Sequence, residues 1–312
     1  MSPVLFCLCL LFPLPAQEPE ATSLLPAQEP EATSLLGQPL YRVELPAEQA
    51  VAFAANLDLA RADLKSNPDD ADALIWVGRR IAYLGHYREA IKTFSEGIAR
   101  FPKDARFYRH RGHRYISTRQ LDKAIADFEE AARLQEGMAD RVEPDGLPNA
   151  AGIPTSTLQT NIYYHLGLAY YLQGRFEKAL QAYQTCLTLC KNNDMMVATC
   201  DWLYMTLRRL DRKAEAERVL GTIRGDLELL ESFSYHRRLM MYQGKHKTKS
   251  LLAAGEGDDG LNFATQGYGV GNWFLYNGDK ARAMEVYRKV LAGNHWSAFG
   301  FIAAEADLAR LR

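Results

Sequence analysis

Charge of either sign is not in excess in this sequence. The 312 residues include 37 Lys and Arg against 38 Asp and Glu, a formal net charge of −1 at pH 7. Proteins that bind nucleic acid through a strongly basic surface are therefore excluded, although a local basic patch is compatible with this balance. Proline is also scarce, because the chain has 13 and most lie near the start or around 144–154. Long stretches without proline are typical of helix.

Cysteine is equally sparse. Of five cysteines, only Cys186, Cys190 and Cys200 follow the first 16 residues. A disulfide between Cys186 and Cys190 would be strained, because both lie on one predicted helix with a spacing of i, i+4. An odd number of cysteines in an exported protein would indicate a free, reactive thiol. We favour the alternative, in which the three are small buried apolar side chains.

Motifs of common active sites are absent. The chain has no GxSxG turn, no phosphate-binding loop, no EF-hand loop and no HExxH-type spacing. The glycines of 267–271 lack the preceding strand that a dinucleotide site requires. His110, His113 and His165 could gather around a metal, but zinc needs a further ligand in tight geometry. We therefore predict a protein without a metal, a cofactor or catalytic residues, and interpret these histidines as polar surface.

Long hydrophobic runs are missing as well. Val4 to Phe12 is continuously apolar, but it is far shorter than the roughly 20 residues that span a bilayer. Such a run followed by small residues is typical of a signal peptide, and we predict one over 1–16, although no Lys or Arg follows Met1. The alternative is a buried hydrophobic terminus.

A short duplication follows the apolar run. The sequence LPAQEPEATSL occupies 14–24 and recurs unchanged at 25–35. It is rich in Pro, Glu, Ala and Ser, and it has few large apolar residues to offset the entropy lost on ordering. We therefore predict that 17–44 is a disordered spacer, and that the folded part of the chain begins at residue 45.

The remainder of the chain repeats itself with a period of 34 residues. In each unit a glycine precedes an alanine by 12 positions and an aromatic residue by 16. The small residues let two helices of a hairpin approach closely, and the aromatic residues fill the layer between them. These repeat positions are Gly78, Ala90 and Phe94, then Gly112, Ala124 and Phe128, then Gly167, Ala179 and Tyr183.

This pattern resembles the tetratricopeptide repeat (TPR). The resemblance implies an all-α fold, a right-handed α-solenoid of helix–turn–helix hairpins with a capping C-terminal helix. The predicted units are clear at 71–104, 105–138 and 160–193, and degenerate at about 197–229, 230–263 and 264–295, with the cap at 296–312. The surplus residues of 137–157 contain three prolines and cannot continue a helix. They are either a flap over the neighbouring groove or a solvated insertion.

Family resemblance also implies that the first helix of each hairpin lines a concave groove. The side chains expected to line it are Trp76, Arg79, Tyr83, Arg106, Arg109, His110, His113, Tyr164, His165, Tyr171, Trp202, Tyr235, Arg238 and Asn272. The chaperone-docking clamp of the family does not transfer, because Ile75 and Arg79 occupy its Lys and Asn positions.

One part of this predicted groove is basic. Arg106, Arg109, His110 and His113 are spaced i, i+3, i+4 and i+7, so they form one stripe of a helix. The guanidinium group suits carboxylate or phosphate. We therefore expect the stripe to contact an anionic partner, more tightly as the pH falls through the histidine range. The alternative is a solvated charged face.

Together these features predict a non-catalytic scaffold that binds another protein or peptide in the concave groove. The chain is similar to uncharacterised exported bacterial TPR proteins, so we expect a periplasmic or extracellular location. The alternative is an accessory protein that recognises a polysaccharide or another anionic polymer, and a metal-dependent enzyme is a weaker possibility. No nucleic-acid partner and no membrane span in the mature chain are expected.

The predicted export is tested by fusing residues 1–40 to a reporter that is active only outside the cytoplasm. We expect activity from the fusion, and we expect the double substitution Leu8→Arg and Leu11→Arg to abolish it, because the apolar run drives membrane insertion. A serine pair at the same positions is the milder control. A reporter that stays in the cytoplasm with the natural sequence contradicts the prediction.

Overall fold

The protein is an all-α solenoid. The computed structural model describes residues 29–255 and 260–311, so the predicted signal peptide and the first part of the spacer lie outside the described residues. Those ranges hold fourteen helices and one short antiparallel hairpin. The hairpin strands are β1 (Ala32–Thr33) and β2 (Pro39–Leu40). The helices are α1 (Ala47–Ser66), α2 (Ala71–Tyr83), α3 (Tyr87–Arg100), α4 (Ala105–Ser117), α5 (Leu121–Gln135), α6 (Leu158–Leu172), α7 (Phe176–Leu189), α8 (Asn193–Arg209), α9 (Lys213–Gly221), α10 (Phe233–Tyr242), α11 (Thr248–Gly255), α12 (Leu261–Tyr276), α13 (Lys280–Leu291) and α14 (Phe299–Leu311).

Helices pack in pairs through small residues that face large ones. Ala90 is fully buried, and a Cβ on Gly78 would lie 2.5 Å from Phe94 Cε1, closer than two carbon atoms can approach. Glycine is therefore required where α2 meets α3. The same close contact recurs between Gly112 and Phe128, Gly167 and Tyr183, and Gly271 and Tyr287.

The turns between paired helices share a backbone feature. One residue near each turn has a positive φ, and these residues follow one another at about the repeat length except across the 137–157 segment: Gly85, Arg119, Gly174, Asp211, Gly244 and Gly278. Glycine adopts this conformation without a steric penalty. Arg119, with φ of 63°, does not, so neighbouring contacts must hold it there.

The prediction of a disordered spacer is wrong for residues 29–44. Leu40 is buried against the core, and the Leu35 N–H donates to the Glu305 carboxylate at 3.3 Å. Trp296 Nε1 donates to the Tyr41 carbonyl at 2.7 Å. The leucines of this segment bury apolar surface against the far end of the chain, which offsets the entropy of ordering.

The prediction that α14 caps the end of the stack is also wrong. A cap needs a polar outer face, whereas Gly300 to Leu308 are buried without interruption. The helix packs against α12 and α13 and also contacts α6. Gly300 permits the close approach to α12, because a Cβ there would lie 2.1 Å from the Ala264 carbonyl oxygen.

Two carboxylates hold α14 inside the solenoid. Glu305 pairs with Arg119 at 2.9 Å, and both side chains are almost fully buried. Asp307 is fully buried and pairs with Arg209 at 2.8 Å. It also accepts hydrogen bonds from the hydroxyls of Tyr268 and Tyr287 at 3.1 and 3.0 Å. Since removing one partner of such a pair leaves an uncompensated buried charge, α14 depends on both contacts.

We expect Asp307→Ala to lower the free energy of unfolding by about 3–5 kcal/mol, as for the loss of one partner of a buried ion pair. Burial raises the pKa of the Asp307 carboxyl, but Arg209 and Arg310 outweigh this effect and hold the pKa below its usual value. The contribution is therefore present above about pH 4 and is lost as the pH falls through the lowered pKa.

Urea unfolding at pH 7 and at acidic pH measures this effect. Glu285→Ala is the matched control, because Glu285 is exposed and pairs with Lys289 along α13. We expect the control to change stability by less than about 0.5 kcal/mol. Equal effects of the two substitutions would contradict the structural role of Asp307.

Candidate functional site: a basic cleft on the concave side

The distal part of the predicted groove is closed. Tyr171, Trp202, Arg238 and Asn272 are fully buried, so the prediction that they line an accessible groove is wrong. The physical reason is that α6, α8, α12 and α14 meet across the concave side and cover these side chains.

Tyr171, Asn272 and Arg238 have polar partners inside this closed region. Tyr171 Oη lies 2.8 Å from Tyr268 Oη, whose proton is donated to Asp307, and it accepts a hydrogen bond from Asn272 Nδ2 at 3.0 Å. Arg238 pairs with the fully buried Asp201 at 2.5 Å. These groups therefore contribute to internal packing and leave no polar surface there for a partner.

The proximal part of the concave side remains open as a cleft. Its inner cavity, of about 270 Å³, lies between α2, α4 and the 137–157 segment. A wider cavity of about 550 Å³ adjoins it and reaches α10, α12 and the start of α14. The predicted residues that line the inner cavity are Arg79, Tyr83, Arg109, His110 and His113, and the unpredicted ones include Arg114, Glu143 and Asp145.

The other predicted groove residues lie beside this cleft. Trp76 and Arg106 line a smaller cavity of about 230 Å³ that shares Glu143 with the first. Tyr235 lines the wider cavity, and its hydroxyl accepts a hydrogen bond from Tyr164 Oη at 3.2 Å. His165 is buried and its ring centroid is 4.6 Å from that of His113.

The 137–157 segment covers part of the basic stripe. It is tied to α2 by the Arg79 and Arg80 guanidiniums, which donate to the carbonyls of Pro144 and Gly146 at 2.9 and 3.1 Å. It closes on itself through the Glu143 N–H, which donates to the Ser156 carbonyl at 3.1 Å. The segment therefore forms one wall of the cleft.

Glu143 places a carboxylate on the basic stripe. Its Oε2 lies 3.0 Å from Arg109 Nε, and its Oε1 lies 3.9 Å from His110 Nε2. Both the Arg109 and the Glu143 side chains are about nine-tenths buried. The charge of Arg109, which the sequence analysis expects to meet an external anion, is therefore already compensated within the chain.

The histidines of the cleft are held neutral. Burial lowers the pKa of His110 and His113 well below the usual value, and neighbouring arginine cations lower it further. Burial lowers the pKa of His165 to about 3. Burial and the neighbouring arginine cations both disfavour protonation of these histidines, so their pKa shifts do not support the expectation that anion binding strengthens as the pH falls through the histidine range.

The three described cysteines and the histidines suggest no metal centre. Cys186 and Cys200 are buried, and burial raises the pKa of Cys200 to about 12. Within 29–255 and 260–311, no three His, Cys, Asp or Glu residues are grouped so that they could hold a metal ion. No helix in the same ranges is long and apolar enough to cross a membrane.

Comparison with known proteins adds the family. Family models described as Tetratricopeptide repeat match residues 160–193 and 82–139. A curated protein, the BBSome complex member BBS4 of Bos taurus, is 27% identical over 141 residues, which are 45% of this chain and 23% of that protein. The chain thus spans about a quarter of the length of this relative.

Solved structures are similar to this chain only at low identity and low TM-score. YrrB, described as a TPR protein with an unusual peptide-binding site, is 17% identical with a TM-score of 0.41, over 75% of this chain and 91% of that one. A tetratricopeptide repeat protein from Parabacteroides merdae is 15% identical with a TM-score of 0.44, over 83% of this chain and 96% of that one.

Residues 82–139 and 160–193 match the tetratricopeptide repeat family, and they lie within an all-α solenoid. Repeats of this family are typically non-catalytic and bind other proteins or peptides, so the solenoid is a protein-interaction scaffold.

Proposed function

We propose that this scaffold binds a polypeptide in the open cleft between α2, α4 and the 137–157 segment, through acidic groups of the partner. The single observation that carries the proposal is the position of the cleft. It is the part of the concave side where Arg79, Arg109 and Arg114 face a cavity, whereas the distal part is filled by the chain itself. The proposed partner is therefore an acidic segment rather than a broad helical surface.

The shape of the cleft supports an extended ligand. The inner and the wider cavity share Tyr83, His113, Arg114 and Leu147, so they form one continuous surface. Aromatic side chains of α2, α10 and α14 line the wider cavity. Such side chains add flat contact area at low entropic cost. Leu147, about half exposed, stands at the mouth of both cavities.

Export of the protein also remains part of the proposal. It rests on the apolar run of 1–16, which lies outside the described residues. A periplasmic or extracellular location would place the cleft in contact with exported or surface polypeptides.

A library of short random peptides presented to the full chain tests the binding proposal. We expect enrichment of acidic sequences, and an affinity that falls as salt rises, because exposed charges are screened over about 8–10 Å. Leu147→Asp adds a negative charge at the mouth, and we expect it to weaken binding of a selected peptide by about 1 kcal/mol, roughly fivefold.

Val51→Asp is the matched control, because Val51 is an exposed aliphatic residue on α1 that lines none of the cavities described above. It should leave the affinity unchanged. Selected peptides without acidic residues, or equal weakening by both substitutions, would contradict the proposal. If the protein binds members of a glycan panel and no peptide, the polysaccharide alternative is favoured.

A further inference from the structure

Three arginines with almost completely buried side chains each form an ion pair with a carboxylate. Arg109, Arg119 and Arg238 are at least nine-tenths buried, and they pair with Glu143, Glu305 and Asp201 respectively. This is the expected arrangement, because an uncompensated buried charge is costly.

Arg79 departs from this arrangement, and the half-buried Arg114 beside the same cavity has no carboxylate partner in the described ranges either. Arg79 is buried to the same extent, but its described partners are the Pro144 carbonyl at 2.9 Å and the Tyr83 hydroxyl at 3.3 Å, which carry no charge. Arg114 is half-buried, and its guanidinium has no hydrogen bond or ion pair to any residue in the described ranges. It lies over the Tyr87 ring, 5.0 Å from the centroid.

Arg79 and Arg114 face the same cavity. Arg79, at the middle of α2, and Arg114, in the last turn of α4, line the inner cavity of about 270 Å³. Burial lowers the pKa of the Arg114 guanidinium, and the cations of Arg109 and Arg79 add to this effect. Arg114 is therefore held charged at the cavity at an electrostatic cost that an anion in the cavity would relieve.

We propose that Arg79 and Arg114 form a subsite for one carboxylate in the inner cavity, supplied by the polypeptide that binds the cleft. The inference rests on the proposed function for the source of the carboxylate. The guanidinium carries five N–H donors, of which Arg79 uses two on its described partners, so donors remain for a ligand.

Other charged groups at the cavity limit the ligand to a single negative charge. Glu143 is committed to Arg109. Asp145 Oδ1 accepts the Leu147 N–H at 3.2 Å, and the exposed Glu231 is bound by Asn149 and Thr155 at the rim. Asp145 and Glu231 partly offset the two positive charges of Arg79 and Arg114, so the cavity favours a monoanion over a dianion such as phosphate.

The size of the cavity agrees with a side-chain ligand. A volume of about 270 Å³ corresponds to roughly nine water molecules at about 30 Å³ each. This space accepts an Asp, Glu or C-terminal carboxylate with its neighbouring carbons, but it excludes a folded element. The rest of the partner would lie along the wider cavity.

Binding of acetate to the full chain tests the subsite without a peptide. We expect acetate to raise the thermal midpoint saturably when compared with chloride at equal ionic strength. Arg114→Gln and Arg79→Gln should each weaken acetate binding at least about tenfold, in line with loss of a charge-assisted hydrogen bond. Arg133→Gln is the matched control, because Arg133 is exposed on α5, and it should leave acetate binding unchanged.

A second measurement separates the subsite from a structural role of Arg114. In chloride, Arg114→Gln should fold with a thermal midpoint no lower than that of the unsubstituted protein, since the charge removed has no partner. A structural arginine would show a lower midpoint. Absence of saturable acetate binding, unchanged binding in Arg114→Gln, or phosphate binding more tightly than acetate would each overturn the subsite as proposed.

The two proposals fail in different ways. Acetate binding that depends on Arg79 and Arg114, with no acidic peptide selected by the cleft, would keep the carboxylate subsite and remove the polypeptide as its source. Acidic peptides that bind with equal affinity to the unsubstituted protein and to Arg114→Gln would keep the polypeptide-binding cleft and remove the subsite.

Discussion

The architecture depends on the pairing of buried charges across long sequence distances. Glu305 and Asp307 of α14 meet Arg119 and Arg209 inside the solenoid. Since a carboxylate in the interior is tolerated only with a partner, these contacts fix where the last helix lies. They also give Arg119 the contacts that hold its left-handed backbone conformation at the turn before α5. The closed distal half of the concave side follows from this arrangement.

The same electrostatic rule defines the open half. Glu143, on the segment inserted between α5 and α6, compensates Arg109. Arg79 and Arg114 receive no such carboxylate and face the inner cavity. The chain thus places a self-supplied anion at one position of the basic stripe and leaves two neighbouring cations for a ligand. The sequence favours Arg109 as the residue that binds an anionic group of the partner. The structure favours Arg114, because Glu143 already compensates Arg109.

Contacts within one repeat can be predicted from the sequence. The contacts between distant helices that close the distal groove cannot. The spacing of Gly78, Ala90 and Phe94 determines how α2 meets α3, because these contacts lie within one repeat. The partner of Arg238, Asp201, lies in another helix, so the repeat pattern alone assigns Arg238 to an open groove. A usable signal is present in the sequence: Asp201 stands alone, and Glu305 and Asp307 stand together, within largely apolar helical stretches, where an acidic residue indicates a buried partner. The ordered 29–44 segment was missed because its few leucines find their contacts near the other end of the chain.

The central claim is that the open cleft, and not the closed distal groove, is the ligand-binding surface. Hydrogen–deuterium exchange of the full chain, with and without a selected acidic peptide, tests it most directly. The account predicts slower exchange in α2, α4 and the 137–157 segment, with α8, α12 and α14 unchanged. Faster exchange in α14 together with protection of α8 and α12 would contradict it, because the peptide would then have displaced the chain's own helix from the distal groove.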